Sequence, residues 1–571
     1  MEENEMPKEE HLAVKNKYIL IEKIGFAVAL IIVALVMLIF INKKEGLHCD
    51  EAFSYGSSNS SYSNLFYSYW KTDPEKEFFD EYVRDANIFK MMSNINKYYF
   101  GNEDEKNRIV HEKEEAQDVK WRTREEARDY MQITGNGDAF NYDSVFWNQI
   151  SDVHPPLFYL IVNTVSSIFM NNSSKYIIFA INLVFFILTA LVMRQILILI
   201  DKRELTIHTI LLYGLSIAGI STVILLRMYM MLSFFTVLFL YLNIRIVKND
   251  LKITKGSFLA LVLTTICGFL TQYFFCIYAL IVVIIMGVIL IKSKKFKELA
   301  KYVSIFAIST IIGLMIFPMS LYHMFFSERG IEHFGNSEYL YRIKTFAQLI
   351  LNNFGANNII GIALIILAVV VVVIVKKKES LPIFTLISLP IVCYVFIIAK
   401  VSPYLELRYV MNVLPIASIF VVMLVGSMFD NRMYEVLLVS IMVIGLSGYG
   451  FITEKPIGLY EGYNEYVEVA KENRDLDLVY IGEAYFNHIQ SMPEFMEYKK
   501  CLLVSEGDLE WLEDDDELKS QKEFILSIDT VKLDEKQILD TVLKSTGFTK
   551  CKVLKEPIGN EMDNKIYKIY K

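Results

Sequence analysis

Two adjacent carboxylates, Asp50 and Glu51, follow closely on a long apolar run that ends at residue 41. Such a pair can supply a general base together with a second acid that orients a reactant or holds a cation. Taken alone, the pair also fits a solvated helix start. It indicates proton transfer only if other polar groups in the chain point to the same place.

A second polar group precedes a pair of prolines, where Asp152 and His154 lie just before Pro155-Pro156. Prolines suit the first turn of a helix and fix the direction in which the chain enters it. The positive end of that helix would favour an anion near Asp152 and His154. A helix cap at an interface is the alternative interpretation of the same residues.

The third group is cationic and aromatic, with Arg227 and Tyr229 between two apolar runs. An arginine at such a boundary suits a phosphate or a carboxylate, because its fork of donors matches both anions. The alternative is an interfacial arginine that extends to water beside a tyrosine. Two similar groups complete the set: Thr271-Gln272-Tyr273 and Glu406-Leu407-Arg408-Tyr409.

The polar groups described above lie beside or between long apolar runs, so these runs must position them. The chain has 571 residues, of which 54% are hydrophobic, and apolar runs of 18 residues or more recur along it. Runs of this length cross a hydrocarbon core of about 30 Å. We therefore predict a polytopic membrane protein, which excludes a soluble enzyme, a disordered chain and a nucleic-acid binder.

The first apolar run, Ile24–Ile41, ends in bulky residues without a small-residue cleavage site, so we interpret it as a retained span. The run at 155–170 is short and is interrupted by polar residues. The other runs lie at about 176–200, 206–225, 229–246, 257–272, 274–291, 302–320, 357–375, 381–399, 409–428 and 434–452.

The distribution of basic residues decides whether 155–170 crosses the membrane. If it does not, 15 basic residues fall in short cytoplasmic loops and three in short outer loops, and one extra crossing would invert this ratio. We therefore predict a peripheral or re-entrant helix at 155–170 on the outer face. The chain then has about eleven spans, a cytoplasmic N-terminus and an extracellular C-terminus.

The predicted organisation has five parts. They are a cytoplasmic N-terminus (1–23), a first span (24–41), an extracytoplasmic loop with peripheral helices (42–174), a transmembrane bundle (175–452) and an extracytoplasmic α/β domain (453–571). The last part holds 26 acidic and 16 basic residues. If it lies outside the cell, Cys501 and Cys551 could form a disulfide. Its predicted strands are 476–481, 501–504, 524–528, 551–554 and 565–570, and its predicted helices are 463–472, 484–498 and 535–544.

The order of these groups resembles that in the GT-C membrane glycosyltransferases of family 39, which include protein O-mannosyltransferase and aminoarabinose transferase relatives. The resemblance covers about residues 20–455. It rests on five groups in sequence: Asp50-Glu51, His154-Pro155-Pro156-Leu157, Arg227-Met228-Tyr229, Thr271-Gln272-Tyr273 and Arg408-Tyr409. Gln272 stands where the family commonly has a histidine, which removes a titratable group from that turn.

The resemblance implies transfer of a hexosyl or pentosyl group from a polyprenyl-phosphate carrier to an acceptor on the outer face, typically with inversion. Asp50 would be the general base, and Glu51 would orient the acceptor or help to hold a cation. The residues that the resemblance assigns to the donor phosphate are His154, Arg227 and Arg408. Those that it assigns to substrate are Asp152, Tyr229, Gln272, Tyr273 and Tyr409.

The expected partners are a lipid carrier and an acceptor. High usage of Ile, Lys and Asn suggests an AT-rich genome, typical of some Gram-positive bacteria, which would make undecaprenyl phosphate the carrier; the acceptor is open. A divalent metal could bind if Asp50, Glu51 and Asp152 converge, although no ligand spacing demands one. The chain contains no Gly-rich phosphate loop, which fits a lipid-linked donor. The alternatives are a transporter or flippase of lipid-linked glycans and an inactive scaffold.

Overall fold

The structure is a computed structural model that divides into two compact units, which we call the helical unit and the mixed unit. The helical unit comprises residues 1–41, 179–316 and 324–457, and the mixed unit comprises residues 42–178, 317–323 and 458–571. The structure describes residues 8–61, 121–135, 137–150, 152–325, 338–364, 366, 381–428, 431–483, 488–559 and 563–571.

Long apolar helices dominate the helical unit. In the described part of the chain, seven helices of 19 residues or more are apolar enough to cross a membrane. At 1.5 Å per residue, each is about 29 Å long or longer, which matches the hydrocarbon core. The protein is therefore a multi-pass membrane protein, as predicted. These helices are Asn16–Lys43 (the apolar part of Lys8–Lys43), Lys175–Leu199, Tyr229–Lys248, Phe274–Lys292, Phe296–Ile316, Leu381–Val401 and Arg432–Thr453.

The apolar run at 206–225 is broken. It forms two helices, Thr206–Gly214 and Ile217–Ile224, and the bend at this break is 64°. Ser216 begins the second helix, because its hydroxyl accepts a hydrogen bond from the Gly219 N–H at 3.0 Å. A Cβ atom at Gly219 would lie 2.0 Å from the Tyr213 carbonyl oxygen, so only glycine permits this close approach.

Some of the eleven predicted spans are shorter helices or lie partly outside the described residues. Two further predicted spans are shorter helices, Lys255–Thr271 and Leu414–Gly426, and the unit also contains Tyr339–Asn353. Most of the predicted span at 357–375 lies outside the described residues. The described residues provide up to eight candidate spans if the bent pair counts as one. The eleven spans and the sidedness of the termini stay predictions.

The mixed unit contains the doubtful segment at 155–170, which forms the helix Leu157–Ile168. Its 12 residues extend only about 18 Å, too little to cross a membrane. Its length therefore supports the interpretation of this segment as a helix that does not cross. The other helices of the unit are Cys49–Ser58, Arg124–Met131, Tyr142–Ile150, Asn464–Glu472, Met492–Phe495, Asp516–Ser520 and Glu535–Thr546.

One six-stranded sheet, ordered β1-β3-β2-β4-β6-β5, lies in the mixed unit. The central strand β2 pairs in parallel with β3 and β4, whereas the other pairs are antiparallel. All five predicted strands are present, and β1 is an addition from the 42–174 segment. The bounds are Trp121–Thr123 (β1), Leu478–Gly482 (β2), Lys500–Ser505 (β3), Glu523–Asp529 (β4), Lys550–Lys555 (β5) and Asn564–Tyr570 (β6).

The predicted helices around the sheet are present at 463–472 and 535–544. The predicted helix at 484–498 begins in residues 484–487, which lie outside the described residues. Its described part holds a 3₁₀ turn, Ile489–Ser491, and the short helix Met492–Phe495.

The suggested disulfide between Cys501 and Cys551 is wrong. Both thiols are free, with Cys501 buried in β3 and Cys551 exposed in β5. Three strands separate β3 from β5 in the sheet. With neighbouring strands about 4.8 Å apart, the two backbones are about 19 Å from each other. A disulfide needs Cα atoms within about 7 Å.

The sheet has one apolar face and one face with buried polar groups. The apolar face packs against the helix Glu535–Thr546 and the segment 506–520. On the other face, the Tyr480 ring lies against His488, with centroids 4.8 Å apart. The Tyr463 hydroxyl donates to Glu494 Oε1 at 2.8 Å. His488 and Glu494 are both fully buried.

Burial shifts the pKa values of Glu494 and His488 in opposite directions. It raises the pKa of Glu494 from 4.5 to about 7 and lowers the pKa of His488 from 6.5 to about 3. Between pH 4.5 and 6.5 the folded state keeps a proton on Glu494 that the unfolded state releases, so this contribution to stability falls as the pH rises. His488 binds a proton only when unfolded, so its contribution rises with pH. Each slope is about 1.4 kcal/mol per pH unit, and the two cancel.

Replacing either Glu494 or His488 alone should reveal how the other group makes the stability depend on pH. Relative to the wild type, Glu494→Gln should make the melting temperature of the full-length protein rise from pH 4.5 to 6.5. His488→Gln should make it fall over the same range. Thermal unfolding in detergent across this range measures both slopes, with the exposed Glu468→Gln as the control. A Glu494→Gln profile parallel to that of the wild type would contradict the assignment.

Candidate functional site

The helix Cys49–Ser58 carries the predicted catalytic pair, and a capping box begins it. The His48 imidazole Nδ1 accepts a hydrogen bond from the Asp50 N–H at 3.1 Å. In return, the Glu51 carboxylate accepts one from the His48 N–H at 2.7 Å. Both carboxylates therefore lie in the first helical turn, where the positive end of the helix stabilises negative charge.

The two neighbouring carboxylates have different surroundings. Glu51 is fully buried and forms an ion pair with Lys44, which is also fully buried, at 2.9 Å. The Asp50 side chain is 21% exposed, and its Oδ2 lies 3.8 Å from His48 Nδ1. The charge of Glu51 is thus neutralised inside the fold, whereas Asp50 remains accessible to a reactant. This makes Asp50 the better placed of the two to accept a proton.

Lys44 is a residue that the sequence analysis missed. Its ammonium group also donates to the Gly458 carbonyl oxygen and lies 5.4 Å from the centroid of the Tyr460 ring. The Lys175 ammonium group donates to the Lys44 carbonyl oxygen. Lys44 therefore ties the Asp50 helix to the segment that leads into the C-terminal sheet. The only signal in the sequence is a lysine seven residues before Glu51.

Three asparagine amides hold the far end of the Asp50 helix. Asn163 donates to the Ser58 carbonyl oxygen at 3.0 Å, and Asn148 donates to the Gly56 carbonyl oxygen at 3.2 Å. Asn59, the C-cap residue, donates to three carbonyl oxygens at residues 129–132. The Asp50 helix is thereby fixed against the helix that follows His154.

Asp152 and His154 are brought together. The His154 Nδ1 lies 2.9 Å from Asp152 Oδ2, with the side chains 11% and 26% exposed, respectively. A carboxylate on Nδ1 fixes the orientation of an imidazole and favours its cationic form. The helix itself begins at Leu157, with Pro156 at its N-cap. The pair therefore offers an imidazole oriented by a carboxylate, and neither side chain caps the helix, whose N-cap has no side-chain hydrogen bond.

In the helical unit, Arg227 lies in the short link between the helices Ile217–Ile224 and Tyr229–Lys248, and its side chain is 1% exposed. The Asn182 amide donates to the Leu225 carbonyl oxygen at 2.8 Å and to that of Val223 at 3.1 Å. These bonds satisfy the end of the first helix and fix the link. A buried charged residue in a membrane protein is a candidate functional residue, which makes Arg227 a candidate for binding an anion.

Arg408 and Tyr409 lie in the 3₁₀ turn Leu407–Tyr409. Arg408 pairs with Glu406 at 2.9 Å, and its guanidinium carbon lies 5.3 Å from the centre of the Tyr409 ring. The Tyr409 ring packs edge-on against Phe274, with centroids 5.5 Å apart. Phe274 directly follows Tyr273, so the predicted residues of these two turns are close together.

Gln272 ends the helix Lys255–Thr271 and has a local partner. Its Oε1 accepts a hydrogen bond from the Tyr273 N–H at 2.6 Å, and its side chain is buried.

Ser233 links a third segment to this region, because its hydroxyl contacts the Tyr229 carbonyl oxygen at 2.8 Å and the Met411 carbonyl oxygen at 3.2 Å.

The predicted site residues thus divide between the two units. The mixed unit holds Asp50, Glu51, Asp152 and His154, and the helical unit holds Arg227, Tyr229, Gln272, Tyr273, Arg408 and Tyr409. Within the helical unit, the contacts of Tyr409 and Ser233 gather three distant segments of the chain. The predicted residues of the mixed unit are carboxylates and an imidazole, whereas those of the helical unit are two arginines, three tyrosines and a glutamine.

The predicted metal ligands Asp50, Glu51 and Asp152 do not fit a cation well. Glu51 is already neutralised by Lys44, which a metal would have to displace. Among the described residues, the group whose potential ligand atoms lie within 4.8 Å of one another is instead His48, Cys49 and Asp50. There, His48 Nδ1 is the acceptor that caps the helix. We therefore derive no step through a metal.

Comparison with solved structures identifies the fold. The structure of ArnT from Cupriavidus metallidurans bound to undecaprenyl phosphate matches 95% of this chain and 97% of its own, with a TM-score of 0.51 and 9% sequence identity. ArnT in the apo state matches 72% of this chain and 87% of its own, with a TM-score of 0.44 and 10% identity. No protein-family model and no curated protein matches the sequence. The chain therefore has an ArnT-like fold, and the likeness extends over nearly its whole length.

Proposed function

We propose that the protein is an integral membrane glycosyltransferase that moves a sugar from a polyprenyl-phosphate carrier to an acceptor on the outer face of the membrane. The observation that carries the proposal is the full-length likeness of the fold to ArnT with bound undecaprenyl phosphate. The separate environments of Asp50 and Glu51 support it, because Asp50 is the one of these two carboxylates that a reactant can reach. Undecaprenyl phosphate is the carrier that we propose here.

Asp50 acts as the general base in the proposed reaction. It removes the proton from an acceptor hydroxyl as the oxygen forms a bond to the anomeric carbon of the donor. The bond between this carbon and the phosphate oxygen breaks, and its electron pair leaves with the polyprenyl phosphate. Attack from the face opposite the leaving group inverts the configuration at the anomeric carbon.

Cations stabilise the departing phosphate in this proposal. Arg227 is fixed in its buried link by the hydrogen bonds of Asn182, and Arg408 is held by Glu406 and the Tyr409 ring. Preorganised cations in a site with little water are worth far more than cations in solution. We assign His154, oriented by Asp152, to the same phosphate, and Tyr229, Gln272, Tyr273 and Tyr409 to the remaining substrate contacts.

We expect undecaprenyl phosphate to raise the melting temperature of the purified wild type in nanodiscs. Arg408→Gln should lose most of this stabilisation, because a bidentate cation–phosphate contact becomes a single neutral one. The exposed Arg432→Gln is the matched control and should respond like the wild type. If undecaprenyl phosphate fails to shift the wild type, the transferase proposal is overturned. A transporter of lipid-linked glycans or a scaffold then becomes the better interpretation.

A further inference from the structure

Asn412 is a buried amide in the helical unit with unmet hydrogen-bonding capacity. It lies in the 3₁₀ turn Met411–Val413 and is 1% exposed. Neither its Oδ1 nor its Nδ2 makes a hydrogen bond of normal geometry with any residue that the structure describes. A buried amide whose hydrogen bonds are not fully made is costly, so Asn412 retains capacity to bind a polar group of a ligand.

The surroundings of Asn412 place it beside the proposed donor site. Asn412 lies three residues after Tyr409, in the 3₁₀ turn that follows the turn Leu407–Tyr409. The Tyr394 hydroxyl adjoins the Asn412 amide but donates to the Tyr409 carbonyl oxygen at 3.0 Å. The adjacent Met411 carbonyl oxygen accepts from Ser233 in the first turn after Tyr229.

A second buried polar group, the Tyr278 hydroxyl, belongs to a ring that packs against Tyr394. The Tyr278 ring packs against Tyr394, with centroids 6.4 Å apart, and both rings are fully buried. The Tyr278 hydroxyl also makes no hydrogen bond of normal geometry within the described residues. Tyr278 lies one helical turn after Phe274, which contacts Tyr409. Tyr394 therefore relates both groups to the Arg408–Tyr409 turn, because it packs against Tyr278, adjoins Asn412 and donates to the Tyr409 carbonyl oxygen.

We propose that Asn412, together with Tyr278, binds the hydroxyl groups of the sugar that the donor carries. This inference rests on the proposed function. It specifies that these residues recognise the sugar of the donor. The chemistry of the amide selects the ligand, because Oδ1 needs a donor and Nδ2 needs an acceptor. A sugar hydroxyl is both at once. A phosphate group only accepts at neutral pH and would leave Oδ1 unsatisfied.

The test compares two ligands in nanodiscs: bare undecaprenyl phosphate and undecaprenyl phosphate that bears a sugar. We expect the wild type to bind one sugar-bearing donor more tightly than the bare carrier. Asn412→Leu, which keeps the side-chain volume, should weaken binding of that donor ten- to a hundredfold and leave binding of the bare carrier unchanged. Tyr278→Phe removes one hydroxyl and should weaken only the sugar-bearing donor, by a smaller factor.

The outcomes separate this inference from the proposed function. If the wild type binds neither ligand, the proposed function fails. If the wild type binds both ligands and Asn412→Leu binds both equally well, the transferase proposal stands and the role of Asn412 is overturned. Equal weakening of both ligands would assign Asn412 to the phosphate and would also overturn the inference. If Asn412→Leu does not fold, Tyr278→Phe decides between the same outcomes.

Discussion

Asp50→Asn is expected to lower the turnover number about 10²- to 10⁴-fold while the protein remains folded and binds its donor. Asparagine has nearly the shape of aspartate but cannot accept the proton of an acceptor hydroxyl, and general bases contribute about this factor. Folding should survive, because Asp50 takes part in the capping box through its backbone N–H. Release of sugar from the donor measures turnover, and donor-induced thermal stabilisation measures binding.

The control for this variant is Asp143→Asn. Asp143 is exposed and lies in the first turn of another helix in the same unit, Tyr142–Ile150. It should keep full turnover, since only the position of the carboxylate differs. An Asp50→Asn protein with turnover within a factor of three of the wild type would remove Asp50 from the chemistry. Glu51 would then be the carboxylate to test.

Lys44→Met is expected to destabilise the protein by about 3–5 kcal/mol. The substitution removes the cation that pairs with the buried Glu51 carboxylate, and breaking a buried ion pair from one side has this cost. Chemical unfolding of the full-length protein in detergent measures the loss. The neighbouring Lys43→Met is the control, because Lys43 is exposed and its charge should matter little.

The double variant Lys44→Met/Glu51→Gln tests what the ion pair is for. Removing both charges should recover most of the lost stability, because no uncompensated charge remains buried. If Glu51 acts only by positioning the Asp50 helix, turnover should recover together with stability. A double variant that is stable but inactive would give Glu51 a chemical role. A Lys44→Met protein as stable as the wild type would contradict the importance of the pair.

Composition and periodicity were sufficient to predict the membrane class and the five C-terminal strands, β2 to β6. Runs such as Leu381–Val401 are uniformly apolar over the thickness of a bilayer, so hydropathy identifies them without a structure. The buried strands β2 and β4 are short apolar runs bounded by polar residues, which is the pattern of a covered sheet. The elements that could be located from the sequence are those whose apolar pattern lies within one short stretch of the chain.

Features that depend on distant partners were not predictable in the same way. The break at Ser216 depends on a close approach of Gly219 to the Tyr213 carbonyl, which a hydropathy average does not register. The Lys44–Glu51 pair joins residues on either side of a helix boundary, so helical spacing does not reveal it. Asp50 and Glu51 look equivalent in the sequence, and only burial distinguishes them.

The strand β1 has a consequence for how the chain is made. The Trp121 indole donates to Asp515 at 3.0 Å, although 394 residues separate the two. At a synthesis rate of about 5–20 residues per second, β1 leaves the ribosome roughly 20 to 80 s before this partner exists. During that interval β1 lacks β3, the strand with which it pairs, and is open to premature association with other strands. Biogenesis should therefore depend on a chaperone or on fast synthesis more strongly than that of a protein whose sheet comes from one contiguous stretch of sequence.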